Sequence, residues 1–178
     1  MARLIWLCGP SGSGKDSLLR ALCEDPPDNL VIAHRYITRA ADAGGENHIA
    51  LSEREFHRRR KLGLFALCWQ AHGYHYGLGL ENDLWLAHGL DVLVNGSRLH
   101  LSQARDRYGR QLLPLCLQVS SEVLKTRLQR RGRENEREIA RRLQRAVQPL
   151  PADCLALNNN GTLQQTLQQL RRLLESAP

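Results

Sequence analysis

The chain has few aromatic residues, 5% of 178, and a single Met. A core short of rings must be built from Leu, Val, Ile and Ala. No apolar run approaches the length of a membrane span, and "LIWLCG" after Arg3 is too short for the apolar region of a signal peptide. These absences lead us to expect a soluble, cytoplasmic protein with no membrane partner. The five cysteines are odd in number and widely spread, with no CxxC pair. That excludes a zinc ribbon or a redox dithiol motif and leaves buried, reduced thiols at Cys8, Cys23, Cys68, Cys116 and Cys154 as the expectation. No internal repeat, low-complexity tract or long linker appears, so residues 1–178 are expected to form one domain.

What is present is positive charge, a formal +7. Nucleic acid, an anionic membrane and small polyanionic substrates all fit that sign. The basic residues are not interleaved with aromatics as in an RNA-binding surface, so no nucleic-acid partner is expected and small polyanions are favoured.

Short apolar runs alternate with helical patterns. Strands are expected at 3–8, 29–34, 90–96, 112–119 and 153–159, and helices at 15–24, 81–89, from Ser120 or Ser121 to 130–133, at 134–147 and at 162–175. Ser52 and Glu55 form a capping box that opens a helix through Lys61. This order predicts an α/β fold in three layers around a five-stranded parallel sheet with right-handed crossovers. Residues 35–80, read as short strands and a hairpin, break the alternation and suggest an insertion over the carboxyl ends of the strands, where ligands bind in such sheets.

The first strand and first helix flank "GPSGSGK": Gly9, Pro10, Ser11, Gly12, Ser13, Gly14, Lys15. That context and spacing predict a phosphate-binding P-loop, with backbone N–H groups and the helix N-terminus around the phosphates and Lys15 reaching toward the terminal ones. ATP with magnesium is the expected ligand. The loop departs from the common pattern, which has Ser or Thr directly after the lysine. Asp16 stands there and Ser17 follows. Asp16 could merely complement the helix dipole. A bare carboxylate beside a triphosphate would repel it, however, so Asp16 is assigned to magnesium, directly or through water. Ser17 is the alternative, about 100° further round the helix.

Arginines gather in two places. One set runs through 127–145 and reads partly as a solvated helix face and partly as a lid over the transferring phosphoryl group. The other set, Arg35, Arg39 and Arg98, lies at or near strand ends facing the crevice, suited to an acceptor anion. Asn95, at the end of the third long strand, is assigned to the pocket, and Asp91 at its start to a turn or cap.

Together "GPSGSGK", "ITR" (37–39), "HGYHYG" (72–77), "RLQRRG" (127–132) and "RRLQRA" (141–146) resemble the guanylate kinase family over nearly the whole chain. The resemblance implies a P-loop kinase fold with a small acceptor-binding insertion and a helical lid. It places Arg39 and Tyr76 on the acceptor's phosphate, Arg131 and Arg142 on the ATP phosphates, and Arg127 near the adenine. Three departures stand out. Asp42 replaces a second acceptor arginine, and Leu67 and Leu78 occupy the positions where that family reads guanine. "GPSGSGKDS", "AHRYITR", "GGENHIALSE", "DVLVNGSR" and "RGREN" are similar to the bacterial branch that phosphorylates ribose 1,5-bisphosphate with ATP to 5-phosphoribosyl 1-diphosphate, in phosphonate breakdown. The competing readings are a kinase acting on GMP and a non-catalytic guanylate kinase-like binding module.

Overall fold

The computed structural model describes residues 1–132, 135–146 and 149–176, and of Arg145 the backbone alone. Arg133 and Glu134 of the predicted lid lie outside the described residues.

Five parallel strands form the central sheet in the order β2–β7–β1–β8–β9. They are β1 (Leu4–Cys8), β2 (Leu30–Ile32), β7 (Asp91–Asn95), β8 (Leu112–Gln118) and β9 (Leu155–Asn158). Side chains alternate across a strand, so an apolar run buries both faces. Leu4, Trp6 and Cys8 point to one face with Val92, Val94 and Cys116. Ile5 and Leu7 point to the other with Leu93, Leu115 and Leu157. The second face packs on α1 (Lys15–Glu24), through Leu18, Leu19 and Leu22, and on α7 (Leu163–Ser176), through Leu170 with Leu167 and Leu174. Leu163, at the start of α7, has the helical spacing of that stripe but is exposed. Thr162 and Gln165 exchange hydrogen bonds that cap α7.

The first face packs on α3 (Glu81–Ala87), on α4 (Leu101–Tyr108) and on a second, four-stranded sheet. That sheet has the order β4–β3–β6–β5, from β3 (Tyr36–Ile37), β4 (Ile49–Ala50), β5 (Phe65–Ala71) and β6 (Tyr74–Gly79). β5 and β6 form a hairpin whose two turn residues, His72 and Gly73, both have positive φ, the type I′ geometry that matches strand twist. Ser52 Oγ accepts from the Glu55 N–H and starts α2 (Glu53–Lys61). The paired helices α5 (Ser121–Arg131) and α6 (Glu136–Ala146) close on a small core of Leu124, Leu128 and Ile139. Ser120 caps α5, and a reciprocal Asn135–Glu138 box caps α6. No helix among the described residues is long and apolar enough to cross a membrane.

Several sequence expectations change. Residues 97–111, for which the sequence suggested no element, contain α4, the crossover between β7 and β8. Strand β2 is shorter than 29–34 because only Leu30–Ile32 pair with β7. Cys23 is exposed, and Cys68 and Cys154 are partly buried. Asp91 is neither turn nor cap: its carboxylate accepts the Arg3 backbone N–H at 2.7 Å and the Arg3 guanidinium at 2.7 Å, tying the starts of β1 and β7 together.

At the other end of β7, Gly96 lies against the Trp6 indole, whose Nε1–H donates to the Ser97 carbonyl at 3.1 Å. A Cβ on Gly96 would sit 2.4 Å from that ring. The ring is buried on all sides and cannot swing away. Gly96→Ala is therefore expected to lower stability by about 1–3 kcal/mol, read as a lower midpoint in urea denaturation.

Candidate active site

The glycine loop connects β1 to α1 at the carboxyl edge of the central sheet. Gly14 takes the N-cap position of α1 with φ of +95°, and no side chain caps the helix. The first-turn N–H groups are thus left open toward the crevice, as an anion site requires. The loop is held from behind. Asn159 Nδ2 donates to the Ser13 carbonyl at 2.6 Å, and Arg127 donates to the same carbonyl at 3.2 Å. Thr166 Oγ1 donates to Asn159 Oδ1 at 2.6 Å, which fixes the amide. A Cβ on Gly14 would stand 2.5 Å from Asn159 Nδ2, so the brace and the glycine require each other. Ser13 Oγ is buried without a hydrogen-bond partner among the described residues.

The crevice beside the loop holds about 400 Å³. It brings together most of the residues singled out from sequence: the whole loop from Gly9 to Lys15, Asp16, Ser17, Arg35, Arg39, Tyr76, Asn95, Arg98 and Arg131. Arg127 and Arg142 do not line it. Arg127 instead braces the loop, its second nitrogen donating to the Asn159 carbonyl at 2.8 Å. Arg142 reaches from α6 to Ser11 Oγ, joining the lid to the loop. Burial pushes the Lys15 ammonium below its usual range, and the neighbouring Arg35 adds to that, opposed by Cys8, Asp16 and Glu46. A bound polyanion would reverse this shift. Asp16 lies where the crevice meets an adjoining cavity of about 340 Å³, and Ser17 is exposed at the rim of the crevice.

The wall facing the loop contains a residue that the sequence reading did not identify. Glu46 accepts from Arg35 Nε at 2.9 Å and from a second Arg35 nitrogen, lies 3.8 Å from Arg39, and accepts from Asn95 Nδ2 at 3.3 Å. Burial alone would raise its carboxyl. The hydrogen bonds and charge of Arg35, with Arg39 and Asn95, more than offset that and hold it below the usual range. Arg35 also lies over the Tyr76 ring, 4.8 Å from its centre. It is thus a member of a fixed cluster, not a free cation. Arg39 Nε is buried with no hydrogen-bond partner among the described residues. Asp42 lies in an exposed turn outside the crevice.

In the core just before the loop, Cys8 and Cys116 are partners in adjacent strands with sulfurs 2.8 Å apart. A hydrogen bond from Cys116, with the charges of Lys15 and Arg98, outweighs burial and lowers the Cys8 thiol to about 7. The Cys116 thiol is pushed up by donating. Among the histidines, His72 lines the crevice and His34 lines the adjoining cavity. His48 bonds the Arg39 carbonyl at 3.0 Å. His75 stacks on Phe56 beside His57. Metal-ligand spacing was not visible in the sequence, yet Glu53, His57 and His75 place ligand atoms within 4.8 Å of one another, and none of them lines the crevice.

An uncapped helix facing arginines across a parallel sheet's carboxyl edge is the working end of a P-loop phosphotransferase. Comparison with known proteins narrows the class. The guanylate kinase family profile matches residues 1–177. The chain is 67% identical over 175 residues to the ribose 1,5-bisphosphate phosphokinase PhnN of Pantoea vagans, covering 98% of both chains. It is 64% identical over 176 residues to that of Dickeya zeae, covering 98% of this chain and 94% of the relative. The crystal structure of guanylate kinase from Anaplasma phagocytophilum shares the fold with a TM-score of 0.69 at 18% identity, over 98% of this chain and 85% of the other. The chain belongs to the guanylate kinase family and, within it, to the group of the ribose 1,5-bisphosphate phosphokinases.

Asn159 and Thr166 were also missed, and their test is direct. Asn159→Ala leaves the Ser13 carbonyl with the longer Arg127 contact and the buried Thr166 hydroxyl with its longer contacts to the Asn158 and Thr162 carbonyls, both at 3.3 Å. We expect a stability loss of about 1–3 kcal/mol in urea denaturation and weaker ATP binding by calorimetry, since the loop loses its brace.

Proposed function

We propose that the protein transfers the terminal phosphoryl group of ATP to ribose 1,5-bisphosphate, giving 5-phosphoribosyl 1-diphosphate and ADP. The observation that carries the choice of acceptor is the pairing of Leu67 and Leu78. They are cross-strand partners in β5 and β6 and both are buried in the core. Their side chains offer no polar atom, so nothing there can read a guanine edge. A site without those partners forfeits much of its selectivity for a base. The high identity to relatives that bear the name of this reaction supports the same reading.

The chemistry needs little from an acid or base. The second pKa of a phosphate monoester is near 6, so the acceptor's 1-phosphate is largely dianionic at neutral pH. One of its oxygens forms a bond to the γ-phosphorus of ATP while the bond from that phosphorus to the β,γ-bridging oxygen breaks, and ADP carries away the electron pair. The remaining task is to hold two polyanions in line. On the donor side, the open N–H groups of the loop and the start of α1 hold phosphate oxygens, and Lys15 neutralises them. Arg131, which lines the crevice, and Arg142, which contacts Ser11, are the lid's contributions to the transferring group. On the acceptor side, Arg39 offers its unpartnered Nε, and Tyr76 and Arg98 complete the anion wall. The hard carboxylate of Asp16 beside the loop would hold magnesium, directly or through water, and the ion would supply positive charge against the donor phosphates.

Supplying Mg-ATP with either ribose 1,5-bisphosphate or GMP and identifying products by mass spectrometry tests the reading. Turnover of the sugar is expected, and turnover of GMP alone would overturn it. Asp16→Asn is expected to raise the magnesium concentration needed for half-maximal rate. An unchanged magnesium requirement would remove Asp16 from the metal. Lys15→Ala is expected to lower kcat by about 10²–10³-fold, the cost of one transition-state charge contact.

A further inference from the structure

Asn95 ends β7 at the carboxyl edge of the sheet, lines the crevice and is 6% exposed. The two ends of its amide are treated differently. Nδ2 donates to Glu46 Oε2 at 3.3 Å, whereas Oδ1 is buried and has no hydrogen-bond partner among the described residues. Glu46 sets this orientation. Held ionised by Arg35, it can only accept, so the amide must turn its NH2 toward Glu46 and show its oxygen elsewhere. A buried oxygen left without a donor is costly, and a native site resolves that cost by ligand or water.

What could satisfy Oδ1 follows from chemistry. Phosphate oxygens cannot, because they too are acceptors. A metal ion is disfavoured in this corner: the carboxylate beside it is already engaged by Arg35 and Asn95, with Arg39 3.8 Å away. The partner must bring a hydrogen-bond donor. On the reading given under Proposed function, on which this inference rests, the acceptor has donors at two places, its 2- and 3-hydroxyls. We propose that Asn95 Oδ1 accepts a hydrogen bond from a ribose hydroxyl of the acceptor, and that Glu46 is the positioning residue that fixes the amide in that sense. The sugar is then recognised at two kinds of group. Cations read the phosphates, an amide oxygen reads the hydroxyl, and the Glu46 cluster keeps the amide from turning over.

The test is a comparison of kcat/KM for ribose, 2-deoxyribose and 3-deoxyribose 1,5-bisphosphates with Mg-ATP, using the full chain. Wild type is expected to prefer ribose over one deoxy analogue by about 10²-fold or more, because a site built for a hydroxyl rejects the analogue that lacks it. Asn95→Ala should bring that ratio within about tenfold by lowering ribose activity more than the analogue's. Asn95→Ser serves the same purpose if the alanine variant fails to melt cooperatively. Glu46→Gln, whose amide can donate as well as accept, frees Asn95 to turn over and should narrow the ratio as well. A merely structural role for Glu46 would lower all three substrates together and leave the ratio fixed. The proposal is overturned if wild type uses all three sugars alike. It is also overturned if the Asn95 variants keep the wild-type ratio, including the case where they shift only the magnesium requirement. If wild type turns over GMP and no sugar bisphosphate, the proposed reaction fails and the inference with it, a result distinct from undiscriminating sugar turnover.

Discussion

The hydrogen bond from Asn159 to the Ser13 carbonyl is the contact on which the donor side rests. Ser13 N–H closes the loop on the Pro10 carbonyl at 3.1 Å, but N–H groups offered to a ligand cannot also hold the loop in place. Its carbonyls have to be held from the back, and here that work is done from elements far away in sequence: Asn159 after β9, Thr166 on α7 and Arg127 on α5. The central sheet brings these elements behind the loop. Both its faces are buried, so the positions of β9 and α7 relative to β1 are fixed by packing, not by local sequence.

The wall facing the loop solves the opposite problem. Several cations face one crevice, and without a ligand they would repel one another. Glu46 relieves that strain internally. It pairs with Arg35 and lies 3.8 Å from Arg39, whose buried Nε has no hydrogen-bond partner among the described residues. The cluster is therefore organised before any anion arrives, which lowers the ordering cost of binding. The loop side has Asp16 as its corresponding acidic group, so each half of the crevice carries a carboxylate among its cations.

Much of this was legible in the sequence, for reasons that are local. The P-loop is a contiguous pattern flanked by its own strand and helix. The Ser52–Glu55 box and the β5–β6 hairpin are likewise set by neighbours in the chain. Helix α4 was missed although Leu101, Ala104 and Tyr108 have helical spacing, because its many polar residues obscure that stripe. Glu46 was invisible for another reason. It sits in a glycine-rich, polar stretch where nothing marks one acid as buried, and its meaning comes from Asn95, 49 positions away. Asn159 bonds across 146 positions and belongs to a run of three asparagines, any of which could have been the buried one. Asp91 was assigned to a turn or cap, whereas its partner, Arg3, immediately precedes the neighbouring strand β1, 88 positions away.

The stack of Trp69 on Tyr76 has a practical side. The rings lie 5.7 Å apart and nearly parallel, and both residues line the crevice. Trp6, the next indole, is 5.8 Å behind Trp69 and sealed from solvent. The scarcity of aromatics that forces an aliphatic core thus leaves the wall facing the loop with one indole lining the crevice and a second sealed behind it. The molecule carries its own fluorophore in the crevice wall, where a bound ligand would change its ultraviolet emission without a label.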